Sequence, residues 1–131
     1  MMLLPLRLQP GVDLRAALQQ VRAERDWPAV FVVAGIGSFS RVCLRFAGVP
    51  DGLTRDGNFE LLSLSGTLSP DGAHLHASVA DADGRVSGGH LLAGCLVRTT
   101  AEILLQRVDG WSFHRERDPA TGYAELLIRR A

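Results

Sequence analysis

The sequence predicts an α+β domain, a mainly antiparallel sheet carrying one main helix. Three observations lead there. Only one long stretch, between Asp13 and Trp27, repeats its apolar residues at the helical period. From Ala29 onward, short apolar or alternating runs follow one another. Those runs are separated by turns rather than by helices, which favours antiparallel neighbours over parallel crossovers.

At the N-terminus Leu4, Leu6 and Leu8 alternate with Pro5 and Arg7, a half-buried strand whose proline suits an edge. Pro10-Gly11 turns the chain. Asp13 is placed to cap a helix in which Leu14, Ala17, Leu18 and Val21 share a face. Arg15, Gln19, Arg22 and Glu24 face outward, and Trp27-Pro28 ends the helix. Ala29 to Ala34 is a continuous apolar run, read as a buried strand that Gly35-Ile36-Gly37-Ser38 breaks. Arg41 to Phe46 alternates again, and Gly48 to Gly57 reads as a polar loop. Asn58 to Ser65 is a strand with Phe59, Leu61 and Ser63 on one face and Glu60, Leu62 and Leu64 on the other. Thr67 to Ser69 continues it to a Pro70-Asp71-Gly72 turn. His74 to Ala80 is the next strand, closed by Asp81 to Gly84. Gly88-Gly89 is expected to bend the chain into a strand from His90 to Val108. Ser112 to Arg117 and Tyr123 to Arg130, joined by a turn over Pro119 to Gly122, complete the sheet.

A chain of 131 residues predicts one domain, 1–131. Its 47% hydrophobic and 21% charged residues exclude disorder. No apolar run approaches the ~18 residues of a membrane helix. Met1 to Pro5 lacks the basic flank and apolar core of a signal peptide, so a cytoplasmic protein is expected. Fourteen basic and 14 acidic residues give zero net charge, which counts against a freestanding DNA binder. Cys43 and Cys95 form no CxxC pair and read as small buried residues in a reducing compartment.

The chemistry concentrates in three of the four histidines, His74, His76 and His90. Residues i and i+2 of a strand share a face about 6.5–7 Å apart, so His74 and His76 can converge on one ion. His90, following Gly88-Gly89, can be swung back towards them as a third ligand. Neutral imidazole favours zinc, and three histidines with an open position is the catalytic style of zinc site. Glu60 and Glu102, each among apolar strand residues, are the candidate catalytic carboxylates; Asp81 and Asp83 read as turn residues. Gly35-Ile36-Gly37-Ser38 is no dinucleotide loop: position 40 is Ser40, and a strand follows where a helix is required. Ser38 has no partner signal, and His114 reads as a surface residue.

Several ordered motifs resemble the plants-and-prokaryotes-conserved (PPC) domain family. They are Gly57-Asn58-Phe59-Glu60-Leu61-Leu62 through Ser69, Ala73-His74-Leu75-His76 through Asp81, and Gly88-Gly89-His90-Leu91 through Glu102. The opening Leu6 to Leu14 and the closing Gly122 to Leu126 fit too, so the likeness spans nearly the whole chain. The resemblance implies an α+β fold with about seven strands and a homotrimer. It also implies a metal on His74, His76 and His90, and a regulatory or interaction role under a family label of predicted DNA binding. In plants the recruiting motif reads Gly-Arg-Phe-Glu-Ile-Leu; here Gly57, Phe59, Glu60 and Leu62 match and Asn58 replaces the arginine. The region from Gly57 to Leu62 is thus the candidate protein-partner surface, and sequence-specific DNA binding is not expected. The alternative reading is a zinc-dependent lyase or hydrolase, by fold-level similarity to acetolactate decarboxylase, with Glu60 or Glu102 moving a proton.

Overall fold

In the computed structural model, which describes residues 2–131, the chain runs β1 (Met2–Leu8), α1 (Leu14–Glu24), β2 (Val30–Arg45), β3 (Leu53–Ser69) and β4 (Gly72–Ala80). There follow β5 (Val86–Leu91), β6 (Leu96–Arg107), β7 (Trp111–Arg117) and β8 (Ala124–Arg130). Every pairing is antiparallel, in the order β1-β6-β2-β3-β4-β5, with β7 and β8 as a separate hairpin. The α+β expectation holds.

The helix forms where its signals lie. Asp13 accepts from the Ala16 N–H at 3.1 Å, and Leu14 and Leu18 are buried. The other Asp13 oxygen accepts from the Gly94 N–H at 2.7 Å, tying the helix start to the loop before β6. The helix covers β3, β4 and β6. Leu14 and Leu18 join a core with Val30, Phe39, Leu68 and Leu105, all at 0% exposure.

Several sequence readings need correction, among them the closing pair of strands, which form their own hairpin rather than completing the sheet. Gly35 and Gly37 do not break a strand: β2 runs 16 residues straight through them. A Cβ at Gly35 would sit 2.8 Å from Ile103 Cδ1 and 2.9 Å from Leu64 Cβ. The missing side chain therefore lets core residues close over a central strand. The polar loop ends early, because β3 begins at Leu53 and pairs there with Leu44. The alternation in β3 slips: the register shifts between Leu61 and Ser63, so Leu64 is buried while Leu62 is 46% exposed. Finally, His90 to Val108 is two strands, not one, divided before Leu96.

Long β2 coils far enough to be reached twice. Its middle pairs with β3 and β6, and its end pairs with β5 through Leu44↔Leu91 and Arg45↔His90. This closes β2, β3, β4 and β5 into a ring. Within it Gly88 and Gly89 make no bend. They are regular β5 residues paired with Ser78 and Ala77. A Cβ at Gly89 would lie 2.5 Å from the Arg45 carbonyl oxygen, so glycine is what lets β5 squeeze between β4 and β2.

Candidate metal centre

Strand pleating puts Leu75 and Ala77 into the core and turns His74 and His76 to the other face of β4. Ladder register, not a bend, supplies the third histidine: His76 pairs directly with His90. The imidazole centroids lie 4.9 Å (His74–His76), 5.2 Å (His74–His90) and 4.6 Å (His76–His90) apart. His74 Nε2 and His76 Nε2 are 3.1 Å apart, and one nitrogen from each ring lies within 4.8 Å of the others.

These separations fit a divalent ion. Nitrogen ligands at ~2.0–2.1 Å in a tetrahedron stand about 3.3 Å apart. The His74–His76 pair is already near that value, and the broad χ2 torsion of histidine leaves the third ring free to turn towards it. His74 and His90 are both held below the ordinary histidine pKa. Partial burial is the main cause for each. The Arg115 charge and the other two imidazoles add to it at His74, with Glu125 opposing. Arg45 and His76 add to it at His90. A lowered pKa keeps imidazole neutral near pH 7, the form that binds metal.

His74 and His90 open onto a cleft of about 560 Å³ between the sheet, the start of α1 and the β7–β8 hairpin. Arg15, Arg45 and Arg115 line it, with Asp71 and Glu125. The Arg115 N–H donates to Asp71 Oδ2 at 2.9 Å, and its Nη2 donates to Thr67 Oγ1 at 3.0 Å. Arg15 Nη1 donates to the Ala73 carbonyl at 2.7 Å, beside His74.

The candidate carboxylates are elsewhere. Glu60 pairs with Ala80, four residues along β4 from His76 and so about 13 Å away along the strand. Glu102 lies on β6 between Arg7 of β1 and Ile36 of β2. Both are exposed, and neither lines the histidine cleft. The carboxylates that line the cleft with His74 are Asp71 and Glu125, and Glu125, whose charge acts on His74, is one that sequence reasoning passed over. Its only signal was its place in the closing Gly122 to Leu126 motif. Asp81 is the turn residue expected: its Oδ1 accepts from the Asp83 and Arg85 N–H groups, each at 2.9 Å. Ser38 is structural, its hydroxyl 2.7 Å from Thr99 Oγ1. His114 stands apart from the cluster, with Nδ1 3.6 Å from Asp71.

A metal-free form should respond to pH through these rings. With folded-state pKa values below the ordinary 6.5, the unfolded chain holds more protons than the folded one just below pH 6.5. The stability is therefore present above about pH 6.5 and falls as pH drops below it. Urea midpoints at about pH 7.5 and about pH 5.5 check this. The drop should shrink when His74 and His90 are both replaced by glutamine; an undiminished drop would remove these rings as its source.

Comparisons with known proteins give the chain its relatives. It is similar to a bifunctional protein GlmU of Synechococcus sp. (strain JA-3-3Ab), 48% identical over 126 residues. That match covers 96% of this chain, which spans only about a fifth of that relative's length, 20%. A hypothetical protein from Salmonella cholerae-suis has the same fold, with a TM-score of 0.96 at 36% identity, over 98% of this chain and 94% of that one. A metal-containing protein from Archaeoglobus fulgidus shares the fold at TM-score 0.83 and 24% identity, over 97% and 94% of the two chains. A family model matches residues 1–109, which takes in the histidine strands and everything from β1 to β6. The chain belongs to the Plants and Prokaryotes Conserved (PCC) domain family, the family its motifs resemble.

Proposed function

We propose that this chain is a homotrimeric PCC-domain module that holds one divalent ion, zinc by ligand chemistry, on His74, His76 and His90. Its role in this reading is regulatory or interaction-based, in the cytoplasm. The observation that carries the metal is the convergence of three imidazoles, two of them biased towards the neutral form. The similarity to a metal-containing protein of Archaeoglobus fulgidus supports a metal here without naming which one. Elemental analysis of protein purified without an affinity tag tests it: about one divalent ion per chain is expected. A metal-free product that takes up no zinc on titration would end the reading.

Trimerisation is supported by apolar surface left on the outer sheet. Phe31, Val33 and Ile36 of β2 are 42%, 47% and 54% exposed, and Leu3 of β1, across β6, is 50% exposed. Large apolar side chains exposed together along β2 are costly to leave in water. Light scattering should return a mass near three chains, and Ile36→Asp should shift it towards one. A monomeric wild type at micromolar concentration refutes the assembly.

Within the Gly57 to Leu62 region, Glu60 and Leu62 are exposed and available to a protein partner. Phe59 is not: it is 4% exposed, with the Arg55 guanidinium 5.4 Å from its ring. For DNA, zero net charge allows few phosphates to be neutralised, so no nanomolar duplex complex is expected at physiological salt. A tight, steeply salt-dependent shift with a defined duplex would reverse that expectation.

The open cleft favours one second reading, a zinc-dependent lyase or hydrolase. Three protein ligands leave a coordination position for substrate, and a metal there would polarise a carbonyl as a Lewis acid. In this reading Glu125, rather than Glu60 or Glu102, is the carboxylate placed to hold or move a proton beside His74.

A further inference from the structure

Three arginines around the histidines differ from the five that pair with carboxylates elsewhere on the domain. On the outer surface Arg41, Arg55, Arg85, Arg107 and Arg129 each reach an Asp or Glu within 4.0 Å. In the cleft, Arg15, Arg45 and Arg115 have no such carboxylate among the described residues. Each is instead steadied by a neutral acceptor. Arg15 Nη1 donates to Ala73 O at 2.7 Å, Arg115 Nη2 to Thr67 Oγ1 at 3.0 Å, and Arg45 Nη1 to Val49 O at 3.4 Å.

Their positions follow the histidines. Arg45 is the cross-strand partner of His90. Arg115 holds Thr67, the cross-strand partner of His74, and Arg15 holds the carbonyl just before His74. The two acidic residues of the cleft are engaged nearby. Asp71 accepts the Arg115 N–H at 2.9 Å and lies 3.6 Å from His114; Glu125 accepts from Thr121 Oγ1 at 3.1 Å. Three cations against two anions, beside neutral imidazoles, leave the cleft positive. A divalent ion would make it more so.

Resting on the three-histidine reading above, we propose that this cleft binds a small oxyanion, a carboxylate or phosphate group, on Arg15, Arg45 and Arg115 beside the histidines. A guanidinium presents five N–H donors in a rigid fork that matches either group, and each of these three spends one on the protein. Anchoring lowers the side-chain entropy lost on binding. A cleft of about 560 Å³ is the size of a small-molecule site.

Calorimetry on the zinc-loaded 131-residue chain tests this, with malonate as the carboxylate probe and inorganic phosphate as the other. Binding of either is expected, and which one binds names the source of the oxyanion. Arg45→Gln and Arg115→Gln should each weaken it by roughly tenfold or more, with one zinc per chain retained. Arg129→Gln, a surface pair with Glu116, should leave it unchanged. Two variants are used because Arg115 also tethers Thr67. Zinc-loaded wild type indifferent to both probes at tens of millimolar would overturn the oxyanion site alone. So would folded cleft variants that bind as tightly as wild type. A wild type that binds no zinc would overturn the histidine reading, and this proposal with it.

Discussion

His76→Ala is expected to abolish stoichiometric zinc binding while the metal-free domain keeps its stability. His76 is the middle ring, 4.9 Å by centroid from His74 and 4.6 Å from His90. Without it two imidazoles remain, and affinity should fall by more than the ~10–100-fold seen when a mere outer partner of a ligand is lost. The ring is exposed, so its removal leaves no core cavity, and metal-free unfolding should shift by no more than about 0.5 kcal/mol. Wild type should gain thermal stability when zinc is added, because a ligand of the native state alone shifts the equilibrium towards it. His76→Ala should gain none. His114→Ala is the control, since His114 faces Asp71 and stands outside the cluster. Titration of both variants with zinc, followed by calorimetry and thermal melts, gives the answer. Equal losses in the two would dissolve the constellation.

Gly66→Ala should destabilise the fold by about 2–4 kcal/mol, far beyond an ordinary glycine-to-alanine change in a strand. Gly66 has φ +150, a backbone region that residues with a Cβ rarely occupy. Its partner on β4 is Leu75, and an added Cβ would overlap the His74 carbonyl oxygen. That obstacle is main chain held in the β3–β4 ladder, so it cannot swing aside as a side chain would. Relief requires β4 to move at the very residue that carries a proposed metal ligand. Zinc affinity should therefore fall along with the urea midpoint. Gly72→Ala makes the comparison sharp: φ is +138 there too, but no atom lies within 4 Å of the added methyl. If the two variants lost equal stability, backbone conformation alone would account for Gly66 and the collision with β4 would be irrelevant.

Much of this molecule follows from local rules. Asp13 before Leu14, Ala17, Leu18 and Val21 marks a helix because capping and a 3.6-residue period act within a few residues. The i, i+2 spacing of His74 and His76 puts two imidazoles on one face because a strand alternates strictly. Zero net charge and the absence of long apolar runs are composition, and they restrict the functions open to the chain before any fold is drawn.

What tertiary structure alone decided is how distant segments meet. His90 joins the site because β5 pairs with β4 in one particular register, a choice made between strands and not within either. Gly35, Gly88 and Gly89 look like chain breakers in the sequence, yet they lie inside strands. Their reason is the neighbour a Cβ would strike, and that neighbour is more than ten residues away. The same holds for the carboxylates. Glu60 and Glu102 have the local setting of catalytic groups but stand on other parts of the sheet. Glu125, in an unremarkable closing strand, shares the cleft with His74 because the β7–β8 hairpin lines it. Periodicity tells which way a side chain points; packing and register decide what it points at.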